Sequence, residues 1–275
     1  MSGTPASDAA ATIAREDVRA VFNHIAETCD LPPMPAAASR ALRLARDPDT
    51  TTDALARVVL TDPALAARVL TMSRSVLYLR RTPPRSLHEA IITVGFQGLR
   101  RILMAASARS AYSADDATAQ RLWAHSLATA LAADQLAKPH AGDKSAPGGG
   151  DAFIAGLLHD VGRLIFHLGD PKVYAQLGLF DVAKETQLFG ATHDVVGACV
   201  ADVWEFDAAI VEAILGHHGA NASPLAAIVA RADRIATSIG YGSIVTGGAV
   251  ELGDESPELV ELVRTLFETE RALFE

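Results

Sequence analysis

Helix-start signals recur at nearly every joint of this chain, and a sequence punctuated in that way has little choice but to fold as packed helices. Thr51 to Asp53 supplies a cap before a run to about Leu60, and Asp62-Pro63 supplies an N-cap and an N1 proline before Leu65, Val69 and Met72. Ser86-Leu87-His88-Glu89 reads as a capping box. Asp207, Ser223-Pro224 and Ser256-Pro257 open helices expected at 208–218, 225–239 and 257–273. Alanine is abundant, aromatic residues make up 5% and β-branched alternation is scarce, so close packing through small side chains is favoured. The expected fold class is all-α, with an N-terminal multi-helix lobe packed on a second helical lobe.

The pattern divides the chain as follows. Residues 1–14 read as a disordered tail, and 15–114 as the N-terminal lobe, opening with Val18, Val21, Phe22 and Ile25 on one helical face. Leu31-Pro32-Pro33-Met34-Pro35 breaks that helix, and another follows at 36–46. Gly95 is expected to stop the helix over 90–94, with a new one from Gly98. The second lobe, 115–275, begins with a long helix to Leu136 and continues with helices at 152–168, 171–179, 181–189 and 193–204. Between them the glycine-rich stretch 141–150 reads as a mobile loop, and the glycines of 241–253 as an irregular joint containing a weak strand candidate at 243–246.

Composition narrows the function classes. A chain of 275 residues with 49% hydrophobic content can bury a large core. Cys29 and Cys199 make no disulfide framework, the N-terminus lacks the features of a signal peptide, and no uninterrupted apolar stretch reaches membrane-spanning length. A cytoplasmic protein without membrane contact is expected. Residues 31–110 hold twelve arginines against five acids, a net +7, leaving −16 for the remainder of a chain whose net charge is −9. That asymmetry suits an anionic partner or contact between the halves, or simply solvated helix faces. Arg68, Arg74, Arg80, Arg81 and Arg85 are the candidate anion-binding cluster. Overall acidity and the lack of aromatic interleaving argue against nucleic acid.

The chemistry-bearing residues are His125 in Leu-Trp-Ala-His-Ser, the doublet His159-Asp160 in Gly-Leu-Leu-His-Asp-Val-Gly-Arg, His193, the pair His217-His218, and Asp233. Imidazoles offer neutral nitrogen ligands, and a carboxylate can bridge two cations. Each also has an ordinary structural reading. His125 could be a core histidine on a carbonyl, His193 a helix-start residue, His217 and His218 a helix C-terminus, and Asp233 a partner of Arg231 or Arg234. As an ordered set they fit a metal pocket for one or two ions of iron, manganese or zinc.

Several ordered motifs carry a family resemblance. Leu-Pro-Pro-Met-Pro, Thr61 to Leu70, Ser86 to Gly95 and Leu99 to Leu103 resemble the HD-related output domain (HDOD) of bacterial signalling proteins. The second lobe is similar to the HD superfamily of metal-dependent phosphohydrolases through the His125, His159-Asp160 and His217-His218 motifs. The resemblance spans roughly 20–240 and implies an HD-type second lobe and a role in signal transduction. It also implies a stand-alone output protein, since no length is left for a fused module. It makes His125, His159, Asp160 and Asp233 the ligands of one metal, with His193, His217 and His218 helping to hold a second.

Two departures bear on catalysis. The Glu-Arg and Gly-Tyr-Pro signature of the cyclic-di-nucleotide branch is replaced after His218 by Gly219 to Pro224, and the usual lysine after the doublet's glycine is Arg163. Asp160 and Arg163 are the catalytic candidates. Two functions are therefore expected in turn. The first is a signalling output protein that binds a protein partner or a small anionic or nucleotide ligand, with a structural or regulatory metal. The second is a metal-dependent phosphohydrolase of a nucleotide or other phosphoester. His24, His88, His140 and His167 match no ligand position.

Overall fold

The computed structural model describes residue 34 and residues 36–78, 82–138, 149–177, 182–219, 222–242 and 254–274, and all regular structure among them is helical. The elements are α1 (Ala36–Leu44), α2 (Thr52–Val59), α3 (Pro63–Met72), a 3-10 turn (Val76–Tyr78), α4 (Leu87–Arg109), α5 (Ala117–Leu136) and α6 (Gly149–Leu158). They continue as α7 (Val161–Gly169), α8 (Pro171–Tyr174), α9 (Val182–Phe189), α10 (His193–Val203), α11 (Ala208–Gly216), α12 (Pro224–Ser238) and α13 (Pro257–Phe274).

The start signals act as their chemistry requires. Thr51 accepts from the amide of Ala54 at 3.2 Å, Asp62 from Leu65 at 3.0 Å and Ser223 from Ala226 at 3.3 Å. Ser86 accepts from the Glu89 amide at 3.1 Å while the Glu89 carboxylate accepts from the Arg85 amide at 2.8 Å, so the capping box closes one residue early. Each cap satisfies an amide the helix itself leaves orphaned, worth about 1 kcal/mol. Gly95 breaks the run as expected, but as a kink inside α4 rather than an end: its φ of 69° and ψ of 174° lie outside helical space.

Helix α5 is the hub. It packs on α6, α7, α12 and α13, and its alanines at 128, 130, 132 and 133 are fully buried. Small side chains permit close approach. At the α5–α6 contact a Cβ on Gly156 would stand 3.0 Å from the Ala130 Cα, so only glycine fits comfortably there. Helices α1 to α4 form the N-terminal layer, which meets the rest through α4 on α6. Two ion pairs fasten α4 to the second lobe: Arg100 to Asp151 of α6 at 2.7 Å and Arg101 to Asp134 of α5 at 2.6 Å. At the other end Arg46, in the turn after α1, reaches the Glu205 carbonyl at 3.2 Å and Asp207 at 3.3 Å, over the ring of Phe206.

Three expectations change. The apolar run expected as one helix over 152–168 is two helices, broken at His159-Asp160. The loop expected at 141–150 ends sooner, because Gly149 and Gly150 already belong to α6, and the helix expected at 171–179 stops as a single turn at Tyr174. The tail, the helix from Arg15, most of the 141–150 loop and the strand candidate lie outside the described residues. Residues 150–169 are apolar and long enough to cross a membrane, but most of that segment is buried inside the bundle.

Candidate metal centre

Two helix interiors and three helix ends deliver the seven histidines and aspartates to one place. His125 projects from the middle of α5 and Asp233 from α12; His159-Asp160 form the α6–α7 joint, His193 begins α10, and His217-His218 follow α11. The break in the apolar run now has a physical reason. Successive residues of a continuous helix point in different directions and cannot face one target. Asp160 leaves helical geometry, with φ −102° and ψ 13°, and both side chains of the doublet then reach the same cluster.

Two groups of convergent ligand atoms result: His125, His159 and Asp233 on one side, and Asp160, His193, His217 and His218 on the other. Asp160 stands between them. Its Oδ2 lies 3.5 Å from His125 Nε2, and its Oδ1 lies 3.8 Å from His159 Nε2, 3.1 Å from His193 Nε2 and 4.0 Å from His217 Nε2. Asp233 Oδ1 is 3.4 Å from His125 Nε2. Arg231, an alternative partner for Asp233, pairs instead with Glu255 at 2.6 Å.

The ring orientations are set from outside the cluster. His125 Nδ1 donates to the Tyr241 carbonyl at 2.7 Å, His159 Nδ1 to the Gly156 carbonyl at 2.8 Å, and His217 Nδ1 to the Ile214 carbonyl at 2.6 Å. A carbonyl can only accept, so each of these Nδ1 atoms carries the proton and each neutral ring turns a bare Nε2 lone pair inward. His125 and His159 thus face each other Nε2 to Nε2 at 3.1 Å with no proton between them. His217 Nε2 is likewise buried without a hydrogen-bond partner among the described residues. Such lone pairs repel one another unless a cation sits among them. The donor set therefore fits one or two divalent ions, and the outward Nδ1 bonds are the kind that fix a metal-ligating histidine.

Charge follows the same division. Burial pulls His159 well below the ordinary imidazole range and His217 below it, so both rings are neutral. His218 is exposed as a residue, yet its ring lies against His217 and His193, and desolvation with those neighbours lowers it to about 4. Burial raises the Asp233 carboxyl. For Asp160 burial works in the same direction, but Arg163 overrides it and holds the carboxyl well below the usual range. His193 differs: burial lowers it, while Asp160 and Glu185 raise it to about 9. Without metal, a proton on His193 takes the place of a cation beside Asp160 and His218, 3.0 Å away.

Sequence reasoning missed Glu185. It is buried on α9, and its Oε2 accepts both the His193 backbone amide at 2.9 Å and His193 Nδ1 at 2.6 Å. Arg163, a catalytic candidate, is equally buried and turned inward, with Nε 3.1 Å from Asp160 Oδ2 and Nη1 3.1 Å from Glu185 Oε1. Neither His88 nor His167 joins the cluster; they bond Asp53 at 2.8 Å and Asp116 at 2.6 Å. His24, His140, Cys29, Arg80 and Arg81 lie outside the described residues, and Arg74 donates to the Pro84 carbonyl at 3.3 Å.

Comparison with known proteins agrees with this architecture. The sequence profile of the HDOD domain matches residues 31–220. An uncharacterised protein of Treponema pallidum (strain Nichols) is 24% identical over 202 residues, covering 71% of this chain and 39% of its own length. Among solved structures, a protein of Marinobacter aquaeolei VT8 provisionally described as a signal transduction protein superposes with a TM-score of 0.70 at 23% identity, over 96% of this chain and 64% of that one. An HDOD domain protein of unknown function from Geobacter sulfurreducens gives 0.66 at 23% identity, over 92% and 93%. A protein of Shewanella amazonensis SB2B provisionally described as a metal-dependent phosphohydrolase gives 0.66 at 19%, over 94% and 100%. The chain thus spans less than two thirds of the Treponema and Marinobacter proteins, and identities this low establish the shared fold alone.

Proposed function

The chain belongs to the HDOD domain family, and from that premise we propose that it is a cytoplasmic signal-transduction output protein whose second lobe holds a divalent metal centre. One observation carries the metal reading: the buried Nε2 atoms of His125 and His159 face each other at 3.1 Å with both Nδ1 atoms committed to carbonyls. In this reading His125, His159 and Asp233 would hold one ion and His193, His217 and His218 a second, with Asp160 placed between the two groups. Output in this reading passes through a protein partner or a small anionic or nucleotide ligand; the Marinobacter neighbour is provisionally described as a signal transduction protein.

Elemental analysis of protein loaded with manganese, iron or zinc tests the metal centre. Up to two ions per chain are expected, and Asp160→Ala should lose them while keeping the helical circular-dichroism spectrum. Chelation should destabilise the loaded protein by about 2.7 kcal/mol at a free-ion concentration of roughly 100 times Kd, a fall of about 5–10 °C in Tm. Absence of bound metal under all loading conditions would overturn the assignment.

A hydrolytic reading is favoured by a separate observation: the cluster lies next to the surface at His218, which is exposed as a residue although its ring packs on His217 and His193. Bound ions there would supply Lewis-acid charge to a phosphoester. The chain's own part would be to hold Asp160 ionised through Arg163 and to keep the imidazoles neutral through their Nδ1 bonds. Turnover of bis-p-nitrophenyl phosphate by the loaded protein, abolished by Asp160→Ala, supports this reading. Fully loaded protein without turnover on a panel of phosphomonoesters and phosphodiesters overturns it and leaves the metal centre structural or regulatory.

A further inference from the structure

Helix α9 breaks an ordinary rule of packing. Peripheral helices dock by burying apolar side chains, yet among the described side chains of α9, residues 184–189, Glu185 alone is fully buried. Thr186 and Gln187 are exposed, and Lys184, Leu188 and Phe189 are half-buried. Among its described side chains the apolar attachment is the Phe189 ring, stacked on Phe166 of α7 at 4.2 Å. Burying a carboxylate is costly unless it is paired and hydrogen-bonded. Among the described residues, Glu185 meets that condition through groups of the metal centre, namely the His193 amide, His193 Nδ1 and the Arg163 guanidinium. A local rule broken in this way is expected where function demands it.

We propose that Glu185 is a positioning residue for His193, and that through it the docking of α9 and ion binding on the His193, His217 and His218 side are energetically linked. The inference rests on the metal reading above. Glu185 fixes both the start of α10, through the backbone amide, and the plane of the imidazole, through Nδ1, so that Nε2 is aimed at Asp160 and His218. With α9 undocked, His193 keeps its place in α10 but loses the bond that orients its ring. Linkage is reciprocal: an ion that needs His193 correctly oriented must hold α9 down to the same extent that α9 strengthens the ion. The far side of the centre is independent, because His125 and His159 are oriented by carbonyls of Tyr241 and Gly156. A partner that grips or releases α9 would thereby tune one ion of the pair and spare the other.

The test combines manganese and zinc titration, with stoichiometry read by elemental analysis, and hydrogen exchange of the 183–189 amides. In the wild-type protein these amides should gain protection as the second ion binds. Glu185→Gln should weaken the second ion roughly 10–100-fold, the usual effect of losing an outer hydrogen-bond partner of a ligand, while the first ion keeps its affinity and α9 loses its metal-dependent protection. Phe189→Ala loosens α9 without touching the cluster and should weaken the second ion several-fold in the same selective way. Glu185→Asp, which restores charge at shorter reach, should recover part of the affinity. Two ions bound with unchanged affinity by both Glu185→Gln and Phe189→Ala would overturn the linkage and leave the metal reading standing. A wild-type protein that binds no ion would overturn both. Loss of both ions together in either variant, with the fold intact, would also overturn it, since the effect would then be general rather than confined to His193.

Discussion

Gly162→Ala isolates the contact on which one half of the centre depends. Gly162 lies at the start of α7, two residues after Asp160, where α7 crosses the first turn of α10. A Cβ at this position would stand 2.1 Å from the His193 carbonyl oxygen and 2.8 Å from its carbonyl carbon and Cα. All three are backbone atoms, so no rotamer change relieves the clash. Restoring ordinary contact near 3.5 Å requires α7 and α10 to part by roughly 1.4 Å. Overpacking of this kind costs about 1–3 kcal/mol, and rigid backbone on the far side places this case at about 3. The corresponding fall in Tm is about 6–12 °C. The functional consequence is sharper than the thermal one, because metal sites tolerate only about 0.2 Å in ligand distance. His193 should then lose its ion while the His125 side keeps the other. Gly95→Ala serves as the control for destabilisation alone: its φ of 69° and ψ of 174° make any side chain strained by about 1–3 kcal/mol, yet no atom lies within 4 Å of the new Cβ. That variant should melt earlier and bind metal normally. The reasoning is refuted if Gly162→Ala melts within about 1 °C of wild type and binds both ions as tightly.

Other expectations follow from buried charge and backbone geometry. In metal-free protein, His159 and His217 have folded pKa values below that of the unfolded chain, near 6.5, so the unfolded state takes up more protons and stability declines as pH falls below that point. Asp160 and Glu185, also lowered, add stability that is present above the unfolded carboxylate pKa of about 4 and lost as pH falls through their folded values. His193, raised to about 9, adds stability that is complete below its unfolded pKa and lost as pH rises through the folded one. Tm of the chelated protein should therefore peak near pH 6–7 and fall on both sides, and a flat profile from acid to alkali would contradict these assignments. Arg101→Met strands Asp134 as a buried charge and should cost about 3–5 kcal/mol in urea unfolding, whereas Arg101→Met with Asp134→Leu should recover most of it; equal losses would show the pair to be unimportant. Glu205 has a φ of 57°, and Glu205→Gly should raise stability by about 0.5–1 kcal/mol despite losing an exposed pair with Arg43. A lower Tm would refute that.

How much of this was legible in the sequence depends on whether a residue declares itself locally. Asp62, Ser86 and Ser223 announce helix starts because a cap acts on amides two or three residues away, and all three do so. The seven histidines and aspartates were legible as a set because metal-binding chemistry restricts residue type. Their division into two groups follows the family resemblance except at Asp160, whose grouping with His193, His217 and His218 depends on how α5, α7, α10 and α12 cross. The break at His159-Asp160 was hidden because both halves of the run are apolar, and periodicity cannot distinguish one buried helix from two. Glu185 gave no signal at all: a glutamate among Lys184, Thr186 and Gln187 reads as part of a solvated face, and only the reversal through Gly190, with φ 77°, carries it back to His193. Arg163 shows the opposite failure, in which a residue was legible but its direction was not. Placed where the family resemblance leads one to expect a lysine, it reads as a charge for a phosphate. A lysine is a single point charge, whereas a guanidinium presents a fork that can serve two carboxylates at once. In this chain the fork spans Asp160 and Glu185 and so ties the aspartate of the doublet to helix α9.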